Sequence, residues 1–268
     1  MTLTHTDFYD LMVSRKMYSG KSNLKFYLDN LFEDVDLAQK DVLDVGGGKG
    51  LLSFYAGVKG AKKAICLEPE VAGSQNGMIR SFNDLRNEFP ESLPVFLLPL
   101  TLQEYMAQTE PASFDVIIMH NSINHLDEEA CIHLLDNEDC YNRYLAVFKN
   151  VFRIMKKNGT LIITDAARNN FFHDIGVKNI FTPTIEWHKH QQPHTWSKLL
   201  QQAGFKDATI HWLTPNRLGN TGKVFMDNYF ISYLTRSFFK MTMKKQTGTG
   251  VVSEQPISTA RYSDFINI

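Results

Sequence analysis

The run Asp41-Val42-Leu43-Asp44-Val45, followed at once by Gly46-Gly47-Gly48-Lys49-Gly50, constrains this chain more than any other stretch. It predicts a buried strand that breaks into a glycine-rich turn, where backbone can approach a ligand without a Cβ in the way. Leu51 to Ala56 suits a helix, so the turn would face a polar or anionic group with a helix N-terminus. A small nucleoside ligand is the expectation. Spacing disfavours a dinucleotide, because G-x-G-x-x-G counted from Gly46 puts Leu51 where the third glycine belongs.

What remains is D-x-G-x-G-x-G, with Asp44 in the strand end. Lys63-Ala64-Ile65-Cys66-Leu67-Glu68 predicts a second strand ending in an acid about twenty residues after the turn, where a carboxylate can accept from two ribose hydroxyls. The alternative for Glu68 is a solvated loop carboxylate before Pro69. The glycine run resembles motif I of the class I S-adenosylmethionine-dependent methyltransferases. That resemblance implies an α/β fold: a doubly wound, mostly parallel seven-stranded sheet with helices on both faces, N-terminal helices and a cap. It also implies S-adenosylmethionine as methyl donor and S-adenosylhomocysteine as product.

Further landmarks follow in order. Pro94 to Leu100 predicts a third strand, leading into Thr101-Leu102-Gln103-Glu104, where the family usually carries an acid beside the adenine amino group. Thr101 stands near that acid's position, with backbone or Gln103 as substitute partners and Leu102 over the ring. Phe114 to Met119 predicts the fourth strand, delivering His120-Asn121-Ser122-Ile123-Asn124-His125-Leu126 to the edge where open parallel sheets bind ligands. Met155 to Thr160 resembles the family's Lys-Pro-Gly-Gly turn, with a fifth strand at Leu161 to Asp165. Gln201-Gln202-Ala203-Gly204-Phe205 closes a helix before a sixth strand, Ala208 to Trp212. Val224 to Leu234 reads as a helix, and Arg236 to Lys245 as an antiparallel seventh strand.

The expected cofactor contacts are Asp44, Gly46, Gly48, Gly50, Glu68, Thr101, Leu102, His120 and Asn121. If the acceptor is a hydroxyl it must lose a proton, and a histidine near neutral pKa is a suitable base. His125 is the candidate, the alternative being a brace for the helix opened by Asp127. Asp165 is the second catalytic candidate, orienting a histidine, binding acceptor, or only satisfying a turn. N-terminal helices over Phe8 to Asp36 would lid the pocket, with Arg15 or Tyr18 either at the methionine carboxylate or simply at the surface. The long connection Ala166 to His194 would cap the acceptor, drawing on Asn124, Trp187, His188 and His190, the last two sharing a face if extended. No metal is expected, since His-x-His lacks paired cysteines and only Asp165 supplies a carboxylate near the strand ends.

With 268 residues the chain suits one methyltransferase domain over 1–245, its lid at about 1–38 and its cap at about 166–194, followed by a tail at 246–268. A net charge of −1 gives no basic field for nucleic acid. Cys66, Cys131 and Cys140 have no metal spacing, which suits a reducing, cytoplasmic setting, and no signal or membrane span is read. The expected activity is methyl transfer to a small-molecule acceptor, most readily at oxygen, because His120-Asn121-Ser122-Ile123 replaces an Asn/Asp-Pro-Pro-Tyr amino-methylating motif. Nitrogen, carbon or a coupled cyclisation are alternatives, as is a non-catalytic regulator that binds the cofactor. A nicotinamide oxidoreductase is weakened by Leu51. Aromatics beside Lys and Arg near the C-terminal end fit either core packing or a lipid- or glycan-linked acceptor. Oligomeric state is not read from the sequence.

Overall fold

A computed structural model describes residues 5–70, 76–213 and 215–246. Its strands are β1 (Asp41–Val45), β2 (Lys63–Leu67), β3 (Val95–Leu98), β4 (Phe114–His120), β5 (Met155–Ala166), β6 (Lys206–Trp212) and β7 (Phe238–Lys244). They form one sheet in the order β3-β2-β1-β4-β5-β7-β6. Neighbours from β3 to β5 run parallel, while β7 lies antiparallel between β5 and β6. The expected class I methyltransferase sheet is therefore present.

The central strands are apolar on both faces because each face is covered. Val42, Ala64, Cys66, Val116, Ile118 and Ile162 pack on one side with α1 (His5–Ser14), α2 (Lys21–Leu31) and α3 (Leu51–Val58). Leu43, Val45, Ile65, Leu67, Ile117, Met119, Leu161 and Ile163 pack on the other. That second face is covered by the helices that follow: α4 (Met78–Arg86) returns to the first side, whereas α5 (Leu102–Ala107), α6 (Glu128–Ile132), α7 (Glu138–Ile154) and, beyond the short α8 (Phe171–Asp174), α9 (Pro193–Gln202) lie on the second. In α7 the buried residues Cys140, Tyr141, Tyr144, Phe148, Val151 and Ile154 recur at helical spacing and form its core stripe.

Chain order reverses about β1: β2 and β3 build outward on one side, then the chain crosses to β4 on the other. A crevice at the carboxyl ends of β1 and β4 follows from that reversal.

Several elements differ from expectation. Strand β5 starts at Met155, so the predicted turn at 155–160 is strand, with Asn158 at φ 61° and a register shift against β4. The helix expected over Val224 to Leu234 is two, α10 (Gly219–Met226) and α11 (Tyr229–Leu234), because Asn228 ends one and caps the next by accepting from the Ile231 N–H at 3.0 Å. Strand β7 begins at Phe238, leaving Arg236 in the connection ahead of it. The expected tail lies outside the described residues apart from Gln246. No helix among the described residues is long and apolar enough to cross a membrane.

Candidate active site at the carboxyl edge of the sheet

The glycine turn is built by close approach. Ser122 Oγ donates to the Val45 carbonyl at 2.6 Å, drawing the loop after β4 onto the end of β1. A Cβ at Gly46 would lie 2.7 Å from the Ser122 Cβ, so only glycine fits there. Gly48 differs: at φ 55° it adopts a left-handed conformation, and a Cβ there would have Met78 Sδ at 3.7 Å and Glu68 Oε2 at 4.0 Å as its nearest neighbours. That space is open to a ligand. Gly50 is placed otherwise, at the N-cap of α3, where a Cβ would meet the Phe82 ring at 2.5 Å. Its absence of a side chain serves helix packing.

Glu68 is buried at 3 % exposure and faces the turn. Its Oε2 accepts from the Gly48 N–H at 2.9 Å and its Oε1 from the Glu70 N–H at 3.3 Å. Glu68 thus fixes the turn as well as facing the space above it. We expect Glu68→Gln, which keeps one acceptor for Gly48, to weaken S-adenosylhomocysteine binding by about 1 to 3 kcal/mol, or roughly 5- to 150-fold. Calorimetry checks this, and an unchanged Kd would remove Glu68 from the ligand contacts.

Asp44 lies beneath the turn, 1 % exposed. Oδ2 accepts from Ser53 Oγ at 2.7 Å, while Oδ1 has no hydrogen-bond partner among the described residues. Burial pushes its pKa up to about 6, against the Ser53 hydrogen bonds, with the Glu68 charge adding to the rise.

A cavity of about 410 Å³ begins at Gly46 of the turn and is lined by Val45, Leu67, Pro69, the segment Leu100 to Gln103, Ser122 and the segment His125 to Glu128; Gly48, Glu68 and Asp44 are not in its lining. A larger cleft of about 650 Å³ lies outside α2, against Tyr55 and Lys59, and contains none of the turn residues. Thr101 and Leu102 line the cofactor-sized cavity, but the Thr101 hydroxyl is committed: it accepts from the Glu104 N–H at 3.2 Å and donates to the Glu104 carboxylate at 2.7 Å, a capping box. Gln103 Nε2 donates to the Leu126 carbonyl at 2.7 Å, closing that end of the cavity. The Thr101 hydroxyl expected near the adenine is therefore taken up by the cap, whereas the Gln103 hydrogen bond uses its Nε2 donor and not the Oε1 acceptor that an adenine amino group would meet.

Two histidines stand near this edge. His125, on a short 3-10 turn, faces Glu128 with Nδ1 at 2.6 Å from Oε1 and lines the same cavity as Thr101 and Gln103, which His120 does not line. Lys189 reaches the same Glu128 at 3.3 Å, and these two partners lower its pKa despite burial, which acts the other way. His120, at the end of β4, sits among Tyr27, Thr164 and Asn121: Asn121 Nδ2 donates to Nε2 at 3.2 Å, the Tyr27 hydroxyl is 3.2 Å from Nδ1 and 3.3 Å from Nε2, and Nδ1 bonds Thr164 Oγ1. With Nε2 accepting, Nδ1 carries the proton to Thr164. Burial lowers the His120 pKa to about 4, only partly opposed by Asp165. Burial likewise pushes the Tyr27 phenol well above 10, so it stays neutral.

The remaining expected residues spread out. Asp165 is 1 % exposed; its Oδ1 accepts from the Ala166 N–H at 2.8 Å and lies 3.2 Å from His190 Nδ1. His188 and His190 do not share a face. Trp187–Lys189 forms a 3-10 turn, which leaves His188 exposed and turns His190 inward. Trp187 is buried beside His173, ring centroids 6.5 Å apart, and Asn124 is buried at 1 % exposure. Arg15 pairs with Glu88 instead of reaching the turn. Tyr18 does reach inward, stacking on Tyr27 with centroids 5.8 Å apart. Tyr27 is the functional candidate that sequence reading missed. Among the described residues no cluster of three or more His, Cys, Asp or Glu could hold a metal.

A family model described as methyltransferase domain matches residues 9–210. Among curated proteins nothing matches. Of solved structures, an S-adenosylmethionine-dependent methyltransferase from Archaeoglobus fulgidus is similar at 16 % identity and TM-score 0.57, covering 87 % of this chain and 99 % of its own. A putative one from Listeria monocytogenes gives 16 % and 0.56, covering 83 % and 98 %. One from Thermotoga maritima, described as a possible histamine N-methyltransferase, gives 17 % and 0.52, covering 90 % and 96 %. At such identities these structures speak for the fold alone.

Proposed function

The chain belongs to the methyltransferase-domain family and is an S-adenosylmethionine-dependent methyltransferase, and from that premise we propose that it methylates a hydroxyl of a small-molecule acceptor with His120 as base. The observation that carries the cofactor assignment is the open space at Gly48, flanked by the buried Glu68 carboxylate and underlain by the partnerless Asp44 Oδ1. These residues fit the group: Glu68 for the ribose hydroxyls, Leu102 and the cavity wall for the base, and the Asp44 charge for the amino group. Bound S-adenosylmethionine supplies an electrophilic methyl group on a sulfonium.

The chain's own work is to align an acceptor, keep water out and take up a proton. Burial keeps His120 neutral at physiological pH and Thr164 holds its Nδ1 proton, so Nε2 is the atom that takes the acceptor's proton once the acceptor hydroxyl displaces Asn121 Nδ2 from it. The Tyr27 hydroxyl, 3.2 Å from Nδ1 and 3.3 Å from Nε2, lies against the ring and positions it. In this reading His125 gives up the base role expected of it and becomes part of the cofactor wall, braced by Glu128. Asp165 and His190 buttress the end of β5, and the Asp165 charge raises the His120 pKa modestly against burial.

The testing experiment is calorimetric titration with S-adenosylhomocysteine beside NADH, followed by a screen of hydroxylated acceptors for gain of one methyl mass. Binding of the homocysteine compound alone, with a methyl ether as product, is expected. A methylamine product would remove the hydroxyl, and NADH binding instead would remove the cofactor.

Asp44 supplies a pH signature. Its folded pKa of about 6 exceeds the unfolded 3.8, so the ionised form is the penalised one: the penalty is absent below 3.8, grows through the interval and is complete above about 6. The two-unit rise corresponds to about 3 kcal/mol. A ligand ammonium near Asp44 relieves that penalty, so binding releases a proton below pH 6. We expect S-adenosylhomocysteine affinity to fall about tenfold from pH 7.5 to pH 5, and Asp44→Asn to bind weakly with a flat profile. A flat profile in the unsubstituted protein would dissociate Asp44 from the ligand's charge.

A further inference from the structure

We propose that the acceptor carries an oxyanion, a carboxylate or a phosphate, and that Arg236 binds it in a pocket lined by Tyr18, which stacks on Tyr27 next to His120. The inference rests on the acceptor reading above and names the substrate class of that site.

Arg236 owes its position to topology. Because β7 runs antiparallel, its first residue Phe238 pairs with Ala166 at the carboxyl end of β5, so the residues just before it stand at the same edge as the glycine turn. There the guanidinium is half-buried, its Cζ 5.3 Å from the Phe238 ring centroid. Its Nε is buried with no hydrogen-bond partner, and among the described residues no carboxylate pairs with it. Other arginines are handled differently: Arg86 and Arg153 donate to main-chain carbonyls, and Arg143 pairs with Asp127. Burial lowers the Arg236 pKa, opposed only by Tyr18, yet a guanidinium stays charged. A half-buried cation whose Nε has neither water-exposed surface nor a hydrogen-bond partner carries part of the cost of an unpaired charge, and a ligand anion offsets it.

The pocket above it is about 320 Å³, and Met17, Tyr18, Ser19, Asn23 and Asn216 line it with Arg236, none of them acidic. Asn216 Nδ2 donates to the Tyr18 hydroxyl, tying the lid to this wall. Tyr18 stacks on Tyr27 at 16° between planes, and the Tyr27 ring lies 5.7 Å from that of His120. Tyr18 lines this pocket and Tyr27 links it to His120, so the proposal places the acceptor's anion at Arg236 and its hydroxyl end along the tyrosine pair toward His120. The planar fork of arginine matches carboxylate and phosphate equally, so the two sources share one recognition chemistry.

The test titrates inorganic phosphate and benzoate into the full chain at constant ionic strength, with chloride as background, read by calorimetry and by thermal shift. We expect saturable binding of at least one probe, weakened at least tenfold in Arg236→Gln, partly restored in Arg236→Lys, and weakened in Asn216→Ala should Arg236→Gln fail to fold. Preference for benzoate indicates a carboxylate acceptor, and preference for phosphate a phosphate ester. No saturable binding of either probe, or binding that ignores Arg236→Gln, overturns the proposal. S-adenosylhomocysteine is titrated alongside: if it binds while no Arg236-dependent anion does, only this inference falls, and if the anion binds while it does not, the cofactor reading falls.

Discussion

Gly48→Val is expected to abolish cofactor binding, with S-adenosylhomocysteine affinity reduced by at least about 10³-fold, roughly 4 kcal/mol. Two effects combine. At φ 55° a β-branched residue is held where its Cβ collides with its own backbone, a strain of about 1 to 3 kcal/mol. The branched side chain also fills the space beside Met78 Sδ and Glu68 Oε2, which no other atom of the described residues occupies within 4 Å of the added Cβ. Because backbone strain alone could loosen any turn, the control is Gly60→Val. Gly60 has φ 83° and no atom within 4 Å of the added Cβ, and it lies beyond α3, away from the cavity. It should lower the melting temperature like Gly48→Val and leave the Kd unchanged. Equal retention of binding in both variants would mean that the turn does not hold the ligand.

The two-sided apolar strands and the turn were legible in sequence because they are local: alternation along Val42, Leu43, Val116 and Ile117 assigns residues to the two cores, and glycine spacing marks the close approach to Ser122. Glu68 was legible for the same reason, at a fixed chain distance from Gly48. Thr101 shows a readable signal passed over, since Thr101-Leu102-Gln103-Glu104 is a capping-box sequence and the capping role competes directly with a ligand role for one hydroxyl. The shared face expected of His188 and His190 is absent because three residues of 3-10 turn exchange which side chains face inward, leaving His190 buried 3.2 Å from Asp165 and His188 exposed. Tyr27 with His120, 93 residues apart, and Arg236 at the start of an antiparallel strand depend on tertiary arrangement. Residues brought to one edge only by strand order carry no local pattern to read.

His120→Ala is expected to slow methyl transfer about 10²- to 10⁴-fold while S-adenosylhomocysteine affinity stays within a few-fold, because the imidazole acts on the acceptor's proton and not on cofactor binding. The pH profile separates this histidine from others. Burial holds its pKa near 4, so the base form persists well below the ordinary histidine range. At saturating cofactor, which removes the Asp44 contribution, kcat should stay level from pH 8 to pH 5.5. A base of ordinary pKa would retain only about a tenth of its activity at pH 5.5. The same lowering makes His120 a stability term with a definite sign: folding is favoured above the unfolded value of 6.5 and loses that contribution as pH falls toward 4. Rates are therefore compared at and above pH 5.5, with folding followed in parallel. His125→Ala supplies the counter-experiment, since a residue that lines the cofactor wall should change the Kd more than kcat at saturation. A kcat that halves near pH 6.5, together with loss of turnover in His125→Ala, would return the base role to His125 and make the Tyr27-His120 contact a brace between the lid and β4.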